Sequence, residues 1–274
     1  RREAGLEQMV LDGRLTATLA VEGLRVGDVL DLRYSITNKD PVLAGNSVAA
    51  GPLVSEPIKI GFARTRLLWP SDGKVGWKAY PVGATPEQSE VDGWRELVFK
   101  QPLARQPDQP AAAPGRFGRP PMVEASSFSD WAAVSRIMAP LYRTEGLIPR
   151  GSPLADEVAR IAASEKDPVR RTAAALALVQ GKVRYLMMGM DNGNYVPQTP
   201  ARTWQLRYGD CKAKTLLLLA ILHGLDIDAE PALANIGAGD LVSQRLASPS
   251  AFNHIFVLAR PKGDTLWLDG TATG

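Results

Sequence analysis

One cysteine, Cys211, and two histidines, His223 and His254, stand among the 274 residues of the chain. The cysteine lies in "RYGDCKAKTLLLLAILHG", one step after an aspartate and at the opening of an apolar run. Gly209 permits a tight turn there, and Asp210 can cap a helix. Cys211 then falls in the first helical turn, where N–H groups without intrahelical partners and the helix dipole favour an anion. A thiolate is such an anion, and helix N-termini are among the places where cysteine becomes more acidic. The same N–H groups, that of Cys211 included, could hold an oxyanion. The competing reading is a buried structural cysteine, since a free thiol packs well as a small hydrophobe.

A thiolate nucleophile needs a base. His223 ends the same apolar run, about 12 residues or 18 Å from Cys211 at helical rise, and reads as a capping or solvated residue. His254 lies within the strand-like "FNHIFVLA", and Asp269 ends the strand-like "TLWLDG" that follows. A four-residue hairpin loop from Pro261 to Asp264 sets Arg260 opposite Thr265 and His254 opposite Thr271. Asp269 is then the diagonal neighbour of His254 on the same face, about 7–8 Å away between backbones. An odd loop length would put the two on opposite faces. The alternative is a satisfied half-buried histidine and an aspartate that forms the turn before Gly270. Taken with the cysteine, the three residues supply a nucleophile, a base that removes the thiol proton, and a carboxylate that fixes the base's tautomer.

Elements must be found that could carry these groups. In "DLRYSIT", Leu32, Tyr34 and Ile36 alternate with Arg33, Ser35 and Thr37, the pattern of a half-buried strand. Further strand-like runs follow at "KIGFARTRLLW", "GWKAY" and "WRELVFK". No segment before residue 100 has a helical period, so residues 1–105 are expected to form an antiparallel β-sandwich, with Trp69, Trp77 and Trp94 in its core or rim. The proline-rich stretch "QPDQPAAAPGRFGRPP" favours extended backbone, and residues 106–128 are read as a linker. Arg116 and Arg119 within it are read as solvated charges.

From residue 129 the pattern turns helical. Ser129 can cap "DWAAVSRIMAPLY", and "SPLADEVARIAAS" sets Leu154, Val158 and Ile161 on one side. Asp167 and Thr199 are natural N-caps, each followed by a proline suited to the first helical position. Gly209 would suit a left-handed C-cap. After the cysteine helix come three strand-like runs, "DAEPALAN", "FNHIFVLA" and "TLWLDG". Helices followed by strands make residues 129–274 an α+β unit.

Composition bounds the rest. A chain that is 45% hydrophobic and 22% charged is an ordinary globular one. The net charge of +3, from 32 basic and 29 acidic residues, is too balanced to point to nucleic acid. One cysteine excludes an intrachain disulfide and a cysteine-based zinc site; with two histidines, no metal or other cofactor is expected. The apolar stretch Leu216 to Leu222 is far short of the roughly 20 residues needed to span a bilayer. The sequence opens on "RREAGL" and stops just past a strand-like run, so it reads as a piece of a longer protein.

"RYGDCKAKTLLLLAILHGLDIDAEPAL", "FNHIFVLA" and "LWLDGT" together resemble the bacterial transglutaminase-like superfamily, a rearranged relative of the papain fold. "GLRVGDVLDLRYSITNKDPV" is similar to a β-sandwich domain of unknown function that often precedes it in bacterial exported proteins. The resemblance implies an α+β fold in which Cys211, at the N-terminus of a central helix packed on an antiparallel sheet, is the nucleophile, His254 the base and Asp269 the orienting acid. By the same resemblance Tyr185 in "KVRYL" would assist the oxyanion hole formed at Cys211, although a core tyrosine is the simpler reading. Two departures stand out: Ala213 replaces an acidic residue common after "GDCK", and Gly270 replaces a common proline after the aspartate. The implied chemistry is acyl transfer through a thioester, with a peptide or protein substrate. Hydrolysis is favoured over cross-linking because no D-x-D-x-D-G calcium pattern is visible. A binding or scaffolding module that retains the three residues is the alternative. The resemblance also implies a periplasmic or envelope location and an envelope protein as a possible partner.

Overall fold

The computed structural model describes residues 18–272 apart from 82, 109, 115–116, 118–119 and 187–193. Two three-stranded antiparallel sheets come first. In one, β6 (Met122–Ser126) lies between β1 (Val48–Pro52) and β3 (Gly76–Tyr80); in the other, β5 (Trp94–Gln101) lies between β2 (Ala63–Pro70) and β4 (Glu87–Val91). Alternation explains the packing. Strand β2 exposes every second residue, and its Leu67 and Trp69 meet Leu97 and Phe99 of β5 and Val123 of β6 in one apolar layer. Trp77 joins this layer edge-to-face with Phe99, ring centres 6.1 Å apart, while Trp94 stays largely exposed.

Two features of the first half differ from the sequence reading. Residues 28–39 carry no strand, and Leu32, Tyr34 and Ile36 are 66%, 77% and 83% exposed. Alternation makes a strand only where a neighbour satisfies its backbone and a core covers its apolar face; none of the described strands pairs with this run. The stretch read as a linker, in turn, ends in the central strand β6. Val123 to Ser126 of this strand are all buried, so it is covered on both faces and carries no alternation to mark it beside the prolines.

The second half is helical and then stranded, making the chain α+β. Helix α1 (Trp131–Met138) is capped by Asp130, whose carboxylate accepts from Ala133 N–H at 2.7 Å; Ser129 only donates to Asp130. The expected cap thus moves by one residue, because an ionised carboxylate is the better acceptor for the dipole's positive end. Helices α2 (Pro153–Ser164) and α3 (Pro168–Lys182) follow, capped by Ser152 and Asp167. Helix α4 (Pro200–Leu206), capped by Thr199, stops at Arg207, which holds the left-handed conformation (φ 60°, ψ 22°) expected of Gly209. A short parallel pair, β7 (Arg184–Tyr185) and β8 (Tyr208–Gly209), lies before the cysteine helix α5 (Cys211–Gly224).

Every residue of α5 from Cys211 to Leu222 is buried, the signature of a helix enclosed on all sides. One side meets the antiparallel sheet β9 (Ala229–Ala234), β10 (His254–Ala259) and β11 (Leu266–Leu268), with β10 in the middle; α3 and α4 pack elsewhere on it. The halves are tied together at residues 244–247, ahead of β10. Tyr80 Oη donates to Gln244 O at 2.9 Å, Ser126 Oγ donates to Ala247 O at 2.7 Å, and Arg245 forms an ion pair with the buried Glu124. Among the described residues, no helix is long and apolar enough to cross a membrane.

Candidate active site

Local rules place the cysteine. Asp210 caps α5 by accepting from Ala213 N–H at 3.0 Å, and its second oxygen forms a buried ion pair with Lys212. Cys211 therefore occupies the first helical position, 5% exposed. The approach of α4 to this turn requires a glycine: a Cβ on Gly209 would lie 2.8 Å from Ala213 Cβ and 3.2 Å from Thr203 Cγ2. Gly209 is thus needed for close packing, since Arg207 takes the left-handed position.

Strand register brings the histidine and aspartate together. Val257 pairs with Leu268, Leu258 with Trp267 and Ala259 with Leu266, the register that the Pro261–Asp264 loop demands. Continued one residue, it sets Asp269 opposite Phe256 and so diagonal to His254, and His254 Nε2 bonds Asp269 Oδ2 at 3.0 Å. The imidazole also hydrogen-bonds the Cys211 side chain. With Nε2 held by the carboxylate, Nδ1 is the nitrogen left for sulfur. Thr215 Oγ1 donates to Ile255 O at 3.2 Å, linking α5 to β10 beside this contact.

Asp269 is itself fixed. Its Oδ1 accepts from Thr271 N–H (2.8 Å) and Thr271 Oγ1 (2.7 Å), and its carbonyl accepts from Gln180 Nε2 of α3 (2.9 Å). Burial alone would raise its pKa, but the bonds from His254 and Thr271 outweigh burial and hold it at about 2. His254 is 3% exposed, and burial disfavours its charged form. The Asp269 bond, the Cys211 bond and the charges of both overcome that penalty and hold the imidazole at about 9.

The remaining candidates fall into two positions. Tyr185 pairs with Gly209 across the β7–β8 bridge, next to the cysteine turn; burial first, then the negative charges of Cys211, Asp210 and Asp269, push its hydroxyl up to about 12. It stays protonated, hence a donor. His223 lies at the far end of α5, where Thr144 Oγ1 meets its Nδ1 at 2.6 Å and its Nε2 meets Ala229 O at 2.9 Å. Its side chain thus bridges Thr144 and β9 instead of capping the helix, and it stays remote from Cys211. Arg116 and Arg119 lie outside the described residues.

Several neighbours carried no clear signal in the sequence. Lys214, on the turn after Cys211, is buried with its ammonium donating to Val183 O; burial lowers its pKa to about 8 even though the Asp269 charge opposes the shift. Gln180 reaches Asp269 from a helix 89 residues away in sequence. Thr271 could have been found, since a hydroxyl two residues after an aspartate is a local turn pattern. Among the described residues, no cluster of three or more His, Cys, Asp or Glu side chains is arranged to hold a metal.

Residues 1–101 match the family model of a domain of unknown function, DUF3857, which ends well before Cys211. No curated protein matches the chain. A crystal structure of a protease candidate from Parabacteroides distasonis is similar over 82% of this chain and 43% of its own, with 16% identity and a TM-score of 0.61. That likeness shows a shared fold, and the chain spans less than half the length of that structure. A cysteine-protease candidate from Cytophaga hutchinsonii is matched over 82% of this chain and 75% of its own, at 11% identity and a TM-score of 0.37. For the periplasmic domain of TgpA from Pseudomonas aeruginosa the figures are 81%, 75%, 15% and 0.33.

Proposed function

We propose that the chain is a thiol-dependent acyl-transfer enzyme of the transglutaminase-like kind, hydrolysing a peptide or amide bond through a Cys211–His254–Asp269 triad. One observation carries the reading: His254 is bonded to a carboxylate at one nitrogen and to the cysteine with the other side of the ring. With the imidazole held at about 9, the thiol proton resides on His254 Nδ1 before substrate arrives, and Cys211 Sγ attacks the substrate carbonyl, whose π electrons move onto oxygen. The N–H groups at the start of α5, with the Tyr185 hydroxyl beside them, stabilise that oxyanion. Collapse of the tetrahedral intermediate expels the amine, which leaves with the proton from His254. Water then gives a proton to His254 and attacks the thioester, releasing the carboxylate and restoring the thiol. Asp269 holds the ring in the tautomer that each step needs.

Cross-linking of proteins is the same chemistry with an amine replacing water. A non-catalytic module is the second reading, favoured by the burial of Cys211. A periplasmic or envelope location, with an envelope protein as partner, is proposed on the sequence resemblance alone.

The test is turnover of a peptide and glutamine-amide library together with alkylation of Cys211 by iodoacetamide. The reading expects hydrolysis that iodoacetamide abolishes and that falls about 10³-fold or more in Cys211→Ala and His254→Ala. It is wrong if no library member turns over and Cys211 reacts no faster than free cysteine at neutral pH.

A further inference from the structure

A cavity of about 290 Å³ opens between α1 and the β9–β10 pair, walled by Trp131, Met138, Tyr142, Leu233, Phe252 and Ile255. Its volume is at the lower end of small-molecule sites, the size class of one large side chain and not of a cofactor. Trp131 and Phe252 meet edge-to-face at 5.4 Å and make one wall. Two lining residues connect the cavity to the cysteine: Tyr142 and Ile255 both belong to the same buried apolar cluster as Cys211.

Tyr142 is the informative residue. It is 4% exposed, yet its hydroxyl has no hydrogen-bond partner. A buried donor left unpaired is costly, so such a group usually awaits an acceptor. Burial first, then the negative charges of Cys211 and Asp210, push its pKa far above the usual tyrosine value, which keeps the hydroxyl a donor.

We infer that this cavity receives a large apolar side chain of the acyl donor, within two residues of the scissile carbonyl, with the Tyr142 hydroxyl donating to a main-chain carbonyl of the same peptide. The inference rests on the reading of Cys211 as a nucleophile and adds a substrate class: peptides with Phe, Leu or a similar residue on the acyl side. Acidic side chains are excluded because the walls offer a carboxylate no cation.

The test uses acetyl-dipeptidyl chloromethyl ketones carrying Phe, Leu, Gly or Asp at either position, whose methylene carbon is attacked by Cys211 Sγ, forming the C–S bond as chloride leaves. Rates are divided by each probe's rate with free cysteine. Phe or Leu at one of the two positions should label about ten- to hundredfold faster than Gly or Asp, the gain expected from burying such a side chain. Ser135→Trp, at the cavity mouth, should bring the Phe-to-Gly ratio to within about twofold, and Tyr142→Phe should slow the preferred probe several-fold. Equal normalised rates for all probes, with normal iodoacetamide labelling, overturn the cavity assignment alone. A parallel titration of Cys211→Ala with acetyl-Phe-Gly-amide and acetyl-Asp-Gly-amide, followed at the His254 resonance, separates the two readings. Selective binding of the Phe peptide supports the cavity even where the thiol proves inert, and equal binding of both peptides or of neither rejects it.

Discussion

Asp269→Asn removes one charge and retains the shape of the side chain. Wild-type His254 is held at about 9, against an ordinary value of 6.5, in a position where burial alone would push it below that value. The gap corresponds to about 3 kcal/mol in favour of the imidazolium, at about 1.4 kcal/mol per pH unit, and it must come from Asp269 and Cys211 together. An asparagine oxygen can still accept from Nε2 but carries no charge, so much of that stabilisation disappears and burial is left opposed by Cys211 alone. His254 in Asp269→Asn is expected to titrate below about 8. With two histidines in the chain, a pH series of Cε1–H resonances resolves both, and His223 serves as an internal reference. The stability difference between wild type and variant follows a definite sign. The His254 contribution is present in full below about 6.5 and is lost as pH rises through about 9. The Asp269 contribution is present above 3.8 and is lost as pH falls through about 2. The variant should therefore be most destabilised between about pH 4 and 6.5 and approach wild type above about pH 9. A His254 titration in the variant within about half a pH unit of wild type would refute the claim that the carboxylate sets the charge of this imidazole.

Other expectations follow from the same neighbourhood and from the joint between the halves. Lys214 is lowered to about 8, so its burial destabilises the fold below that pH and the penalty is relieved as pH rises towards 10.5. Lys214→Met should accordingly gain about 1–3 kcal/mol in urea unfolding at pH 7, with the gain shrinking at pH 10. Gly209→Ala should lose about 1–3 kcal/mol through overpacking against Ala213 and Thr203, and should also slow alkylation of Cys211 because the cap turn must shift. Glu124→Ala strands the largely buried Arg245 guanidinium and should cost about 3 kcal/mol in thermal unfolding, with proteolysis of residues 239–251 rising in step. Unchanged proteolysis there would mean that the ion pair does not anchor this segment.

What could be read from the sequence lay within a few residues of its cause. Asp167–Pro168 and Thr199–Pro200 start helices because a carboxylate or hydroxyl needs only the N–H two or three positions on, and Asp210 sets Cys211 at a helix start by the same rule. The diagonal relation of His254 to Asp269 was legible too, since a short hairpin loop transmits register directly from chain spacing. The tertiary structure decided the matters that depend on neighbours remote in sequence. Leu32, Tyr34 and Ile36 alternate as a strand would and remain exposed, because no described strand supplies a partner. Met122–Ser126, obscured by prolines, became a central strand because β1 and β3 lie on both sides of it. The anchoring of Asp269 by Gln180, the burial of Lys214 and the unpaired Tyr142 hydroxyl likewise arise where α3, α5 and the segment after α1 converge. Short-range hydrogen bonding is written in residue order, whereas desolvation and the packing of one element on another depend on which surfaces the folded chain brings into contact.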